Sequence, residues 1–538
     1  MCKAFALAQM LLDQSSVDAI DSTLPAKWPY MIEWEKTIWL ASYVLVFFGL
    51  SVFGAHRLKV LYHYWVHKDE PPLAPGHFDD LPVITVQLPI FNEANGVIRL
   101  VDAVSKIDYP REKLQIQVLD DSTDDTAELS ERLTQELKDR GFDAEFRHRK
   151  NRAGFKAGAL DEAMATARGQ FICIFDADFV PGPDLFQKMI HHFTDAKVGM
   201  VQARWGHLNK DFSLLTRLQA LFLDGHLVLE QTARSRHGEF LNFNGTAGIW
   251  RREAIESSGG WQHDTLTEDL DLSYRAQLSG WKFIYLKDVV VPAELPPDMD
   301  GFKSQQHRWT KGSIQVCKKV LGNVWRSDIP FALKFEATAH LTSNFAYLLL
   351  LGVLILMYPA NFIMGSSWLK VLLVDVPVFL FASLSVIIFY LVAQGAQAKG
   401  SWWTSLPYIP LLLALGIGMS INNGKAVLEA LFNQQSDFVR TPKYGVATKA
   451  QTPSTRLRYV SAKSLSLYIE VALTLYFGWL TWAAIARHQW GSIPFLLMFF
   501  VGFAYVSGGS VLRSLKLTGV PSNDTEAPQP PAQVPAAV

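Results

Sequence analysis

The feature that most constrains this chain is the uneven spacing of its apolar stretches. Six of them approach the ~20 residues a helix needs to cross the hydrocarbon of a bilayer. Ile38–Phe53 stands alone, whereas Ala337–Tyr358, Val371–Val392, Leu406–Ile421, Leu465–Ile485 and Ile493–Val511 follow one another closely. Residues 54–336 read as ordinary globular sequence. One compact core cannot accommodate this pattern within 538 residues; an aqueous domain and a helical bundle in lipid can. Charged residues make up 19%, below the ~25% of soluble domains. Lys and Arg number 50 against 51 Asp and Glu, so no charge excess points to nucleic acid. Cys2, Cys173 and Cys317 lie far apart, which excludes a disulfide framework and a cysteine-rich zinc site. Met1–Leu12 lacks a small-residue cleavage site, so no removed signal peptide is expected. The tail from Thr518, rich in Pro and Ala, is expected to be disordered.

Orientation follows from the placement of Lys and Arg. Acidic residues outnumber basic ones before Ile38, while His56, Arg57, Lys59 and Lys68 follow the first span. The first span therefore ends in the cytosol, where the large domain begins. Lys425–Lys463 carries seven Lys or Arg residues and is expected in the cytosol too. Three crossings between the domain and that segment would put it outside, so one stretch must lie along the surface. Leu406–Ile421, with Pro407 and Pro410 at its start and Asn422, Asn423 and Lys425 beyond its end, suits an interfacial helix. Five spans result; six, with the basic loop outside, is the alternative.

The globular interval alternates strand and helix. Val83–Leu88, Gln115–Leu119 and Phe171–Phe175 read as strands, with helices over about Asn95–Lys106 and Asp125–Arg140. Continuous apolar runs suit strands buried on both faces, and the alternation predicts a doubly wound α/β sheet. Ligands of such sheets bind at the carboxyl ends of strands, and two acidic pairs fall there. Asp120-Asp121 follows the second strand, and Asp176-Ala-Asp178 follows the third. Carboxylates alone repel a nucleoside diphosphate; a hard divalent ion, Mg²⁺ or Mn²⁺, bridges them. An acidic loop or a helix cap reads equally from either pair alone.

Four further segments carry chemistry. Thr267-Glu268-Asp269 opens a helical run, and Asp269 is the candidate base for an acceptor hydroxyl, with Glu268 beside it. By themselves these residues also describe an N-cap with acids in the first turn. Gln305-Gln-His-Arg308-Trp309 sits just before the second apolar stretch. Arg308 offers a fork to phosphate oxygens and Trp309 a flat face to a sugar ring, although an interfacial anchor looks the same. Phe438-Val-Arg-Thr441-Pro-Lys443 has the composition of a loop able to close over a diphosphate, or of a basic patch. Lys156 falls between the acidic strand ends, as a nucleotide contact or a solvated helix start.

The ordered set Asp120-Asp121, Asp176-Ala-Asp178, Thr267-Glu268-Asp269 and Gln305-x-x-Arg308-Trp309 resembles the family 2 processive glycosyltransferases: the cellulose, mannan, chitin and hyaluronan synthases. Leu119–Asp124, Phe243–Gly248, Glu268–Ser273, Glu294–Pro296 and Gln305–Trp309 are most similar to the plant cellulose-synthase-like mannan and glucan synthases and their bacterial relatives. The resemblance implies a GT-A-type cytosolic domain plus a transmembrane bundle. It assigns Asp120 and Asp121 to the nucleoside, beside Phe91 and Glu93. It assigns Asp176 and Asp178 to diphosphate and metal, Asp269 to the base, and Gln305, Arg308 and Trp309 to the diphosphate and acceptor end. Phe438–Lys443 resembles a gating loop. The expected organisation is 1–36 outside, 37–58 a span, 80–300 catalytic, 301–334 interfacial, 335–395 two spans, 403–463 interface helix and loop, 464–512 two spans, and 518–538 a tail. No PilZ-like domain is expected after the last span. The implied activity is inverting, processive polymerisation of a β-linked glucan or mannan, β-1,4 in form, from UDP-glucose or GDP-mannose. The alternatives are transfer of one sugar to a lipid and a non-catalytic export subunit. A bacterial cell membrane is the expected setting, with accessory export subunits as further partners.

Overall fold

The computed structural model describes residues 33–72, 76–363, 379–398, 400–434, 465–486, 488 and 490–518. Phe438, Thr441, Lys443, most of the basic segment and the tail beyond residue 518 lie outside the described residues.

Seven strands form one sheet: β1 Ile84–Ile90, β2 Leu114–Asp120, β3 Asp143–His148, β4 Phe171–Ile174, β5 Val198–His207, β6 Gly248–Arg251 and β7 Lys282–Ala293. Their order is β3-β2-β1-β4-β6-β5-β7. The expected doubly wound arrangement is found around β1, which pairs in parallel with β2 and β4. The sheet as a whole is mixed, because β6 runs antiparallel to both β4 and β5. The first three predicted strands lie within two residues of the observed ends. β2 is buried along its whole length, as its apolar run requires. Side chains of β4 alternate between two cores. Phe171 and Cys173 pack with Val97 and Leu100 of α2 (Ala94–Ser105); Ile172 and Ile174 pack with Leu160 of α4 (Phe155–Met164). Helix α3 (Thr126–Asp139) packs beside β3. Chain order moves from β1 to β2 on one side and later to β4 on the other, so a crevice opens at the carboxyl end of β1.

The remaining helices attach this domain to the bundle. α1 (Glu33–His67) runs 35 residues, well past the predicted span. α5 (Leu214–Asp224), α6 (Gln231–His237) and α7 (Glu268–Leu278) belong to the sheet domain. α8 (Met299–Arg326) carries Gln305–Trp309 and leads into α9 (Phe331–Thr342) and α10 (Ala346–Ile363). α11 (Ser385–Gln397), α12 (Ile409–Gly418), α13 (Ser420–Leu431), α14 (Leu465–Ala486) and α15 (Ile493–Thr518) complete the set. Among the described residues, four helices are long and apolar enough to cross a membrane, or five if the bent pair Ser401–Gly418 and Ser420–Leu431 counts as one. The chain is therefore membrane-associated. The predicted surface stretch Leu406–Ile421 falls across that 42° bend, and the first part of the predicted span Val371–Val392 lies outside the described residues.

Glycines allow the helices of the bundle to touch. A Cβ on Gly418 would stand 2.3 Å from the Gly502 carbonyl oxygen, and one on Gly502 would stand 2.2 Å from that of Ala414. Backbone against backbone leaves no flexible atom to yield. Gly502→Val is expected to destabilise the α12–α15 contact by about 1–3 kcal/mol, in the range of core overpacking. Thermal unfolding in detergent should show a lowered Tm; an unchanged Tm would mean that the two helices do not pack this closely.

Candidate active site

One cavity lies over the carboxyl edge of the sheet. Its lining includes Phe91, Asp121, Lys156, Asp176, Asp178, Glu268, Asp269, Gln305, Arg308 and Trp309. Residues from positions 91 to 309 thus meet in a single crevice. Each arrives on a different element: Asp121 just after β2, Asp176 and Asp178 after β4, Glu268 and Asp269 in the first turn of α7, and Gln305–Trp309 on α8.

Two predicted residues stand behind the wall. Asp120 is fully buried and accepts hydrogen bonds from Ser122 N–H and Oγ at 2.9 and 3.0 Å. The His148 Nδ1 lies 2.9 Å from it on the other side. Its oxygens brace the turn after β2 and do not line the cavity. Glu93 is buried at the start of α2, where its carbonyl accepts from Gly96 and Val97 N–H. Asp121 does face the cavity and is clamped from behind. Arg149 Nε and Nη2 donate to its two oxygens at 2.7 Å each, a bidentate fork that fixes its position. Sequence reading missed Arg149, because Asp143–His148 is too polar to announce the strand that delivers it. It also missed Arg152, whose guanidinium lies 3.4 Å above the Phe91 ring, and Trp205, whose ring centroid is 6.4 Å from that of Trp309.

Lys156 is the charge centre of the crevice. Its Nζ donates to Asp176 Oδ1 at 2.5 Å and to the Gly245 carbonyl at 2.9 Å. Burial works against the ammonium, but the Asp176 carboxylate, and after it Glu268, more than offset this and raise its pKa. Asp269 responds in the opposite sense. Burial, then the adjacent Glu268 carboxylate, push its pKa up to about 7, against the pull of Lys156 and Arg308. A carboxyl near neutrality is poised to exchange a proton. The helix-cap reading of this segment loses its main support, since the Thr267 side chain makes no cap hydrogen bond. Asp176 and Asp178 supply the hard oxygen donors that Mg²⁺ or Mn²⁺ prefers. The Lys156 ammonium on Asp176 already shows that this carboxylate accepts a cation from the cavity side.

Residues 82–312 match the model of the family described as glycosyltransferase like family 2. That segment is similar to the family 2 glycosyltransferases. Glucomannan 4-beta-mannosyltransferase 1 of Oryza sativa subsp. japonica is 40% identical over 264 residues, covering 48% of this chain and 50% of that protein. Glucomannan 4-beta-mannosyltransferase 2 of Arabidopsis thaliana is 41% identical over 267 residues, covering 49% of each. The chain spans about half the length of the curated relatives it matches. Both are plant proteins and lend no support to the bacterial setting. Among solved structures, mannosyltransferase PcManGT from Pyrobaculum calidifontis in complex with GDP-Man and Mn²⁺ is similar over 72% of this chain and 100% of its own, with 22% identity and a TM-score of 0.49.

Gly245 shows how tightly this domain packs its crevice. It adopts φ +83°, and a Cβ there would stand 2.8 Å from Asp269 Oδ2. Gly280 has φ +94° with open space around its missing side chain. Gly280→Ala is expected to cost about 1–2 kcal/mol for the left-handed backbone alone. Gly245→Ala should cost more, because the Asp269 carboxylate must also move. Chemical denaturation of the two variants checks the order; equal losses would show that Asp269 is not held against Gly245.

Proposed function

We propose that the chain is an inverting, processive glycosyltransferase that builds a β-1,4-linked mannan or glucomannan from a nucleotide-sugar donor and passes it across the membrane. The observation that carries this reading is the convergence of Asp176, Asp178, Asp269, Arg308 and Trp309 on one cavity beside α8, the helix that leads into the bundle. The matched plant proteins are named as mannosyltransferases acting on glucomannan, which favours GDP-mannose over UDP-glucose.

In this reading Phe91 and Asp121 bind the nucleoside, with Asp120 and Glu93 bracing the loops that carry them. Asp176 and Asp178 hold Mg²⁺ or Mn²⁺, which when bound neutralises charge on the diphosphate. Lys156 keeps Asp176 oriented. Asp269 takes the proton of the acceptor hydroxyl as its oxygen attacks the anomeric carbon. The nucleoside diphosphate departs from the opposite face, so an α-linked donor gives a β-linked product. Arg308 stabilises the charge that develops on the leaving diphosphate, Gln305 positions it, and Trp309 stacks on the acceptor sugar. Phe438, Thr441 and Lys443 belong to a loop that closes over the donor. The bent pair Ser401–Gly418 and Ser420–Leu431 lies at the interface, where Glu429 pairs with Lys311 of α8 at 3.0 Å.

Incubation of the purified protein with labelled GDP-mannose or UDP-glucose, with each metal ion, tests the reading. The expected product is a ladder or high polymer cleaved by a β-1,4-mannanase; a single sugar on lipid would overturn processivity. Asp269→Asn should lower kcat ~10²–10⁴-fold, the scale of general-base catalysis, while leaving donor affinity within a few-fold. Because the base works only when ionised, kcat of the wild type should rise as pH passes up through about 7, where Asp269 titrates, and level off above it. A flat profile from pH 6 to 8 would remove Asp269 from that role.

A further inference from the structure

Away from the active site, three ligand-type side chains converge where the first helix meets the sheet domain. His63 lies on α1, His237 is the last residue of α6, and Glu239 follows Gly238, whose φ of +74° turns the chain back. The Nδ1 atoms of His63 and His237 stand 3.2 and 3.1 Å from a single oxygen, Glu239 Oε1. The two rings are 3.8 Å apart, and the three ligand atoms lie within 4.8 Å of one another. A tetrahedral ion with bonds of ~2.0–2.1 Å holds its ligands ~3.3 Å apart, and two of the three separations match that edge. His63 Nδ1 is buried and makes no hydrogen bond among the described residues.

We propose that His63, His237 and Glu239 bind one divalent transition-metal ion of the zinc class, which fastens the first helix to the sheet domain. Two imidazoles and one carboxylate suit zinc, whereas the all-carboxylate pair in the active site suits Mg²⁺ or Mn²⁺. His67, one helical turn beyond His63, is the available fourth ligand. Its ring lies 5.5 Å from that of His237, and its Nδ1 is 2.7 Å from the exposed Glu70; water is the alternative. The surrounding charge permits a cation. Lys59 stands 3.7 Å from Glu239 Oε1 and Arg234 4.0 Å from Oε2. Both already pair with Glu336, and Arg234 also pairs with Glu230 at 3.0 Å. His237 is half-exposed, which gives the ion a path from solvent.

The test uses the full chain in detergent with its affinity tag removed. The protein is loaded with zinc, dialysed against metal-free buffer and assayed by mass spectrometry of the metal. The wild type is expected to keep about one zinc per chain, with His63→Ala and His237→Gln binding at least ~10-fold more weakly. Asp178→Asn should keep the zinc, which separates this site from the active site. Because His237 is half-exposed, His237→Gln should match the wild-type Tm without zinc and lose only the rise in Tm that zinc produces. Cobalt in place of zinc should give visible absorption bands in the wild type and in Asp178→Asn, and not in His63→Ala or His237→Gln. Zinc retention by His237→Gln equal to that of the wild type, or no retention by the wild type, overturns the proposal.

Discussion

The crevice depends on one part-buried ammonium, that of Lys156. Asp121, Asp176, Asp178, Glu268 and Asp269 line the same small space, and carboxylates gathered out of water repel one another strongly. Arg149 removes Asp121 from that contest by a bidentate fork, and Lys156 neutralises Asp176 directly. Burial, and after it the Glu268 carboxylate, push the pKa of Asp269 up to about 7, and Lys156 and Arg308 offset this only in part. The Gly245 carbonyl holds Lys156 from the other side, and only glycine leaves room there for the Asp269 carboxylate. The electrostatics and the backbone shape are therefore one arrangement: a side chain at 245 would displace the acid whose ionisation the lysine moderates.

A second constraint is mechanical. α8 presents Gln305, Arg308 and Trp309 to the cavity and is tied along its length to the bundle. Lys303 pairs with Glu470 of α14 at 2.8 Å, Asp300 accepts from Ser510 of α15 at 2.7 Å, and Lys311 pairs with Glu429 of α13. Buried ion pairs of this kind add little net stability, but removing one partner strands a charge. Their effect is to fix register, so that the cavity wall and the membrane helices cannot shift independently.

Three of the seven strands were legible because their signals are local. β1, β2 and β4 are short apolar runs ended by Pro89 or by acids, and their ends fell within two residues of the reading. β3 was missed because Asp143–His148 alternates polar residues on an edge strand, and β6 because four residues carry little periodicity. The acidic pairs were legible as residues but not as roles: Asp120 and Asp121 are adjacent, yet the pleat sends one into a hydrogen-bonded turn and the other into the cavity. Arg149, Arg152 and Trp205 carry no signal of their own, since each acquires meaning only from a partner that the fold brings to it. The His63, His237 and Glu239 cluster is of the same kind, its two histidines separated by most of the sheet domain.

Placing the cavity beside α8 has a consequence for the path of a product. A polar polymer leaving the sheet edge toward aqueous solvent needs no membrane helices, whereas one leaving toward the bundle must find polar partners within hydrocarbon. His207 and Leu223 extend the cavity lining on the side of α5. His207 Nε2 lies 2.9 Å from Asp224 Oδ1, whose other oxygen accepts from Gln394 of α11 at 2.9 Å. Buried polar groups are costly unless paired, and His207, Asp224 and Gln394 pair in sequence from the cavity wall to a bundle helix. Hydroxyl-bearing chains need such donors and acceptors at each step. Under the proposed function, this polar seam, together with the aromatic faces of Trp205 and Trp309, supports coupling of synthesis to passage through the bundle.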